Sequence, residues 1–141
     1  MLLALVLSFV ATLLLLLLAA LYFAGEAWAL AGWQGRPYDL TVDAISALGV
    51  PFEMPDGAVS TRHAAMNVTF IGSGLRALLA GWALAPFVPR WRWAVLPLVA
   101  VYSLGLVLVG LSPAGETVHG AGALLAIGGG FVLLVALTGA L

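Results

Sequence analysis

The apolar run LLALVLSFVATLLLLLLAALYFAGEAWAL, residues 2–30, limits what this chain can fold into more than any other feature. Its only side chain charged at neutral pH is Glu26. About 20 apolar residues in a helix cross the hydrocarbon core of a bilayer, so the run is long enough to span it. The run lacks the basic start and the short apolar core of a secretory signal. We therefore predict a transmembrane helix that is retained in the protein.

Three further apolar stretches have the length of a membrane span. They cover approximately residues 64–88, 93–111 and 118–141. The chain of 141 residues is 64% hydrophobic and 8% charged, with a mean hydropathy of +1.18. A soluble domain is about one quarter charged, so this chain cannot cover its surface with charge in water. We predict an all-α fold: a polytopic membrane bundle of four transmembrane helices, forming one transmembrane domain over residues 1–141.

Charge and cysteine content exclude several classes of function. The net charge is −1, so no basic field would attract nucleic acid. The chain has no cysteine, which excludes disulfides, thiolate nucleophiles and cysteine-ligated metals. Small residues recur every four positions in the second and fourth spans, where they predict close helix packing in lipid. These residues are Ser73, Ala77, Gly81 and Ala85, and Gly122, Ala126 and Gly130.

Arginine placement predicts an orientation. Arg90 and Arg92 lie in the short turn between the second and third spans, and the positive-inside rule places such a turn in the cytoplasm. Trp91 and Trp93 in the same turn are typical of an interfacial aromatic belt. The N-terminus would then be cytoplasmic and the first loop extracytoplasmic. The Ala-, Leu-, Gly- and Val-rich composition favours a bacterial plasma (inner) membrane.

The first loop contains the segment YDLTVDAISALGVP, from Tyr38 to Pro51, which predicts a short amphipathic helix. Thr41 can cap this helix and Gly49 can end it. One face would carry Val42, Ile45 and Leu48, and the other Asp39, Asp43 and Ser46. The polar face would either be a solvated side of a connecting helix or form the roof of a pocket between the spans.

Polar side chains of the spans should lie at the same level as this helix. Glu26 lies near the outer end of the first span, and Pro113 can begin the fourth span with Ser112 as its cap. That start places Glu116 in the first helical turn and His119 one turn further. We expect His119 to approach the first loop.

Arg76 lies near the middle of the second span. An unpaired arginine there costs at least about 2.5–3.5 kcal/mol, so it should face the bundle and have a partner. We predict Glu26 as that partner, directly or through water. The arginine would then belong to a structural ion pair or to a site for an anion or lipid headgroup, or it would extend along the helix toward the interface.

The order of these motifs resembles the bacterial integral membrane proteins grouped as domain of unknown function 998. The resemblance rests on RPYDLTVDAISALGVP, HAAMNVTFIGSGL and GLSPAGETVHGAGALLA. The matching positions are Tyr38, Ile45, Ser46, Leu48, Gly49, Met66, Asn67, Gly72, Gly110, Pro113 and His119. The resemblance implies a bacterial plasma-membrane bundle of unknown function, and it implies no cofactor.

The chain departs from the family pattern in three ways. Ala47 stands where the family usually has an aspartate, and the acidic residue usual after the proline is absent unless Glu116 replaces it. Relatives also tend to have about six spans, whereas this chain has four.

Three functions remain compatible with these residues. The first is binding of a lipid headgroup or small anion by Glu26, Asp39, Asp43, Ser46, Arg76, Glu116 and His119. The second is a hydrolase or transferase with Ser46 as nucleophile, His119 as base and Asp43 or Glu116 as the orienting acid. Zinc held by His63, His119 and a carboxylate is a weaker variant, and we predict no metal site. The third is a non-catalytic accessory subunit. We favour a non-enzymatic role, with membrane lipids, other membrane subunits or a second copy of the chain as partners.

Overall fold

Four long helices account for most of the chain. The computed structural model describes residues 2–90 and 92–140. Helix α1 covers Leu2–Leu30, α2 His63–Leu84, α3 Arg92–Leu111 and α4 Thr117–Ala140. All four are long and apolar enough to cross a membrane, and their bounds lie close to those predicted from the apolar runs. The four-helix, all-α prediction is therefore confirmed, while Trp91 of the predicted aromatic belt lies outside the described residues.

The helices pack in chain order. Helix α1 packs on α2, α2 on α3, and α3 on α4. Within residues 2–90 and 92–140, α1 and α4 do not pack along one another, so they are the two ends of an open arrangement. Both are exposed over nearly all of their apolar length, including Leu3, Ile127 and Phe131. Such large apolar surfaces fit lipid as the solvent.

Glycines allow the close approach of neighbouring helices. A Cβ on Gly105 of α3 would lie 2.4 Å from the backbone nitrogen of Ala126, and one on Gly122 would lie 2.9 Å from the carbonyl oxygen of Gly105. On the other side of α3, a Cβ on Gly81 would lie 2.7 Å from Val99. The predicted packing role of Gly81, Gly122 and Ala126 is therefore confirmed, and Gly105 is a contact that the sequence analysis did not identify.

The first loop folds back over the α1 and α2 ends of the bundle. Its two ends pair as a small antiparallel ladder, β1 (Trp33–Gln34) with β2 (Val59–Ser60), and Trp33 lies opposite Ser60. Between them, a 3-10 helix covers Ile45–Gly49. Leu48 of this helix is 1% exposed and belongs to the hydrophobic core, with Met66 and Phe70 of α2 and Leu106 and Val109 of α3. Ile45 packs against the same core, as predicted.

The short helix differs from its prediction in start and type. It begins at Ile45, whereas Thr41 belongs to a turn. The Asp39 carboxylate accepts hydrogen bonds from the backbone N–H and the hydroxyl of Thr41, so Thr41 is not a helix cap. Aspartate side chains compete in this way with helix initiation. Val42, predicted to lie beside Ile45, is 80% exposed.

The start of α4 is also later than predicted. The Ser112 hydroxyl donates to the carbonyl of Leu108 in α3 and does not cap α4. Pro113 belongs to a turn closed by a hydrogen bond from the Glu116 N–H to its carbonyl, and Gly115 has a φ of 98°. Because that left-handed conformation interrupts a helix, α4 begins at Thr117, and Glu116 precedes the first helical turn.

Candidate functional site

A cavity of about 450 Å³ lies between the helices beneath the 3-10 helix. We call it the loop-side cavity. All four long helices contribute to its wall, and Ser46 of the 3-10 helix lines it. Its polar side chains are those of Tyr22, Ser46, Tyr102 and His119. The rest of the wall is apolar and includes Phe70, Leu106, Val109, Ala123, Ala126 and Ile127. A largely apolar cavity with a few polar groups is typical of a binding site for a small molecule.

Two hydrogen bonds hold the C-terminal end of the helix that carries Ser46, one from β2 and one from α2. The backbone carbonyl of Leu48 accepts a hydrogen bond of 2.6 Å from the Ser60 hydroxyl. The carbonyl of Gly49 accepts one of 3.0 Å from the Asn67 side-chain amide. A Cβ on Gly49 would lie 2.3 Å from Asn67 Oδ1, so this contact requires glycine. Gly49 and Asn67 therefore position Ser46; the sequence analysis predicted Gly49 as the end of the helix and identified Asn67 only through a resemblance.

His119 is 7% exposed in the first turn of α4 and lines the same cavity. Its Nδ1 lies 2.7 Å from the backbone carbonyl oxygen of Ser112. A carbonyl can only accept, so Nδ1 carries the hydrogen of this bond, and Nε2 of the neutral ring keeps a free lone pair. His119 and Ser46 thus bring polar groups from α4 and the first loop to one cavity.

Asp43 does not line the cavity, and Arg36 binds its carboxylate within the loop. Arg36 Nη1 donates to Asp43 at 2.7 Å, and its Nε donates to Asp56 at 2.8 Å. The Asp39 N–H also donates to Asp43, at 2.8 Å. We call Arg36, Asp43 and Asp56 the Arg36 cluster. The hydrogen bonds from Arg36, followed by the backbone N–H, lower the pKa of Asp43 to about 2.

The other predicted binding residues also lie away from the cavity lining. Asp39 is exposed, and its hydrogen bonds with Thr41 lower its pKa. Glu116 is exposed ahead of α4. Glu26 is half-buried near the loop. It lies close enough to Tyr38 to affect that side chain: burial raises the pKa of Tyr38, and the charges of Asp43 and Glu26 raise it further.

Arg76 does not pair with Glu26. Its Nη2 lies 3.4 Å from the Ser73 hydroxyl, its guanidinium lies against Gly72, and its Nε is buried without a partner among the described residues. The packing of α1 on α2 explains the difference, because Gly25 lies opposite Thr69. Thr69 and Arg76 are seven residues apart, about 10 Å along the helix. This separation along the helix is greater than the distance that the Arg76 side chain covers by folding back toward Gly72.

The predicted arrangement for nucleophilic catalysis is assembled only in part. Ser46 and His119 line one cavity, but a backbone carbonyl orients the His119 ring, whereas the prediction placed a carboxylate there. The first candidate acid, Asp43, is bound by Arg36. Among residues 2–90 and 92–140, no three histidine or acidic side chains lie close enough together to hold a metal ion.

Comparisons with known proteins identify a family without naming an activity. Neither the curated proteins nor the solved structures contain a significant match to the chain. The model of one protein family, described as "Protein of unknown function (DUF998)", matches residues 16–141. That range includes His119 and Ser46, which line the loop-side cavity. It also includes Asn67, which holds the Ile45–Gly49 helix. The chain belongs to this family of proteins of unknown function.

Proposed function

We propose that this protein binds a membrane lipid, with the polar part of the lipid in the loop-side cavity. The observation that carries the proposal is the convergence of Ser46 and His119 on one otherwise apolar cavity of about 450 Å³. Ser46 and the tyrosine hydroxyls can donate hydrogen bonds to a headgroup, and His119 Nε2 can accept one. Four apolar helices around the cavity place it within reach of lipid.

The charges near the cavity favour a neutral or hydrogen-bonding headgroup over a free anion. Arg76 does not line the cavity, and the Arg36 guanidinium is already bound by two carboxylates. Glu26, half-buried near the loop, is also not among the side chains that line the cavity. Among the described lining residues, a small anion would therefore meet hydroxyls and an imidazole without an arginine or lysine beside them, which is a weak anion site.

The proposal extends to location. We infer a bacterial plasma membrane with the N-terminus in the cytoplasm and the loop-side cavity toward the outer face. Arg90 and Arg92 on the opposite side of the bundle from the first loop support this orientation.

The test is native mass spectrometry of the full chain purified in mild detergent. Ala123 lines the cavity, whereas Ala121 is an exposed alanine of the same helix. Ala123→Leu should lower the occupancy of copurified lipid about tenfold, because filling such a space costs about 1–3 kcal/mol. Ala121→Leu should leave the occupancy unchanged. Equal lipid in wild type and both variants would contradict the proposal, and copurified membrane subunits in place of lipid would favour the accessory-subunit role.

A hydrolase or transferase is the second candidate, because Ser46 and His119 line the same cavity. Its nucleophile would be Ser46, with the His119 Nε2 as base. Ser46→Ala separates the two functions. If the protein only binds lipid, wild type and Ser46→Ala should show equal, background turnover of added lipid esters, whereas a hydrolase or transferase should lose its turnover above background in this variant.

A further inference from the structure

A second cavity, of about 500 Å³, lies on the other half of the bundle, toward the α2–α3 turn. We call it the turn-side cavity. Its wall includes Leu15 and Leu18 of α1, Ala77 of α2, and Leu133 and Leu137 of α4. Apart from the Tyr102 hydroxyl, its lining side chains are apolar. It therefore offers hydrocarbon contacts only.

The two cavities meet at Tyr102, which lines both of them. The Tyr102 ring lies against Gly130 of α4, where a Cβ would be 3.2 Å from two of its ring carbons. All four long helices contribute to the lining of both cavities. Helices α1 and α4 line both cavities and do not pack along one another in the described part of the chain, so we call the two cavities together the groove.

The groove has the length of a membrane hydrocarbon core. Along α4 its lining extends from His119 to Leu137, which is about 27 Å at 1.5 Å per residue. The core of a bilayer is about 30 Å thick. The polar side chains lie mainly at one end of this length and the apolar wall at the other. A lipid has the same asymmetry.

We propose that one hydrocarbon chain of the bound lipid lies lengthwise in this groove and passes Tyr102 into the turn-side cavity. This inference rests on the lipid-binding function proposed above. A second copy of the chain is the alternative occupant, and the experiment below distinguishes it from a lipid.

The groove would select lipids by the length of their hydrocarbon chain. Moving a hydrocarbon chain from bilayer or micelle to an apolar groove removes little surface from water, so the gain comes from packing contacts. A chain too short to pass Tyr102 would leave the turn-side cavity without those contacts. Long chains should therefore bind more tightly than short ones with the same headgroup.

The experiment compares two monoacylglycerols, monoolein and monodecanoin, added in turn to the purified full chain and measured by native mass spectrometry. Wild type should retain monoolein on the order of fivefold better than monodecanoin, on the basis of summed dispersion contacts. Ala77→Leu, which fills the turn-side cavity, should abolish this preference. Ala100→Leu, at an exposed alanine of α3 outside both cavities, should keep it.

A second variant, Leu133→Phe, fills the same cavity from α4, so a failure of Ala77→Leu to fold does not remove the test. An unchanged preference in either folded variant would overturn the inference, as would equal retention of both esters by wild type. A dimer that is present in wild type and lost in Ala77→Leu would assign the groove to a second copy and also overturn it. Ala123→Leu should lose both esters alike, so failure of this inference is distinguishable from failure of the proposed lipid-binding function.

Discussion

At the scale of the residue, His119 is where the lipid-binding proposal can be tested most directly. Asparagine can still donate to the Ser112 carbonyl, but it does not replace the Nε2 lone pair that is free to face the cavity. His119→Asn should fold, and its lipid occupancy should fall about fivefold, because one hydrogen bond contributes about 1 kcal/mol. The measurement is native mass spectrometry, with melting temperature as the check on folding.

The matched control is the other histidine. His63 lies at the start of α2 and does not line the loop-side cavity. His63→Asn should keep its lipid. An equal loss of lipid in both variants would mean that the effect is not local to the cavity.

The Arg36 cluster predicts a pH dependence of stability. Because Arg36 lowers the pKa of Asp43 from 3.8 to about 2, ionised Asp43 stabilises the folded loop above about pH 4. That contribution should be lost as the pH falls from about 4 through 2, since the carboxylate then takes up a proton. Melting temperature measured across this range should decline more for wild type than for Asp43→Asn. Parallel curves for the two proteins would contradict the assignment.

The sequence predicted some residues of the site and missed others for physical reasons. His119 and Ser46 were expected to lie close together, because placing the apolar runs across a bilayer puts the first loop and the start of the fourth span on the same side. Asp43 was assigned to the same face by helical spacing, but a turn at Asp39 removes that spacing. Arg36, which binds Asp43, and Asp56, the other carboxylate bound to Arg36, lie on either side of Asp43 along the loop. No periodic sequence pattern predicts contacts of this kind within a loop.

At the scale of the element, the packing of α3 on α4 depends on glycines that approach backbone. A Cβ on Gly105 would meet the backbone of Ala126 and Gly122, which cannot move as a side-chain end can. Gly105→Ala should therefore destabilise the protein by about 1–3 kcal/mol. Unfolding in detergent with increasing sodium dodecyl sulfate measures the change.

Gly128 of the same helix pair provides the control, because a Cβ there would meet nothing within 4 Å. Gly128→Ala should be neutral or stabilise α4 by up to about 1 kcal/mol, since alanine favours helix over glycine. A similar cost at both positions would show that the close α3–α4 approach is not what glycine provides.

The bounds of the long helices could be predicted from the sequence, whereas the start and type of the short helix could not, because the two are stabilised differently. In a bilayer, a sufficiently long apolar run forms a helix almost regardless of its individual residues, and this determines α1 to α4. The starts of the Ile45–Gly49 helix and of α4 depend on competition between side-chain hydrogen bonds and helix initiation. At Thr41 and Pro113, turns closed by neighbouring groups prevailed over the predicted helix starts.

At the scale of the whole molecule, orientation can be tested with single cysteines because the chain has none of its own. Glu53→Cys places a thiol in the first loop, and Pro89→Cys places one in the α2–α3 turn, both at exposed positions. A thiol reagent that does not cross membranes should label Glu53→Cys in intact cells and Pro89→Cys only after lysis. The reverse pattern would place the loop-side cavity at the cytoplasmic face.

The order in which the helices pack has a consequence for how the protein is made. Each helix after the first packs on the one synthesised just before it, since α2 packs on α1, α3 on α2 and α4 on α3. No helix has to wait in the bilayer for a distant segment before it can bury its small residues. Insertion from the translocon can therefore be followed at once by docking, one helix at a time. The groove between α1 and α4 would be the last surface to be completed, when α4 arrives.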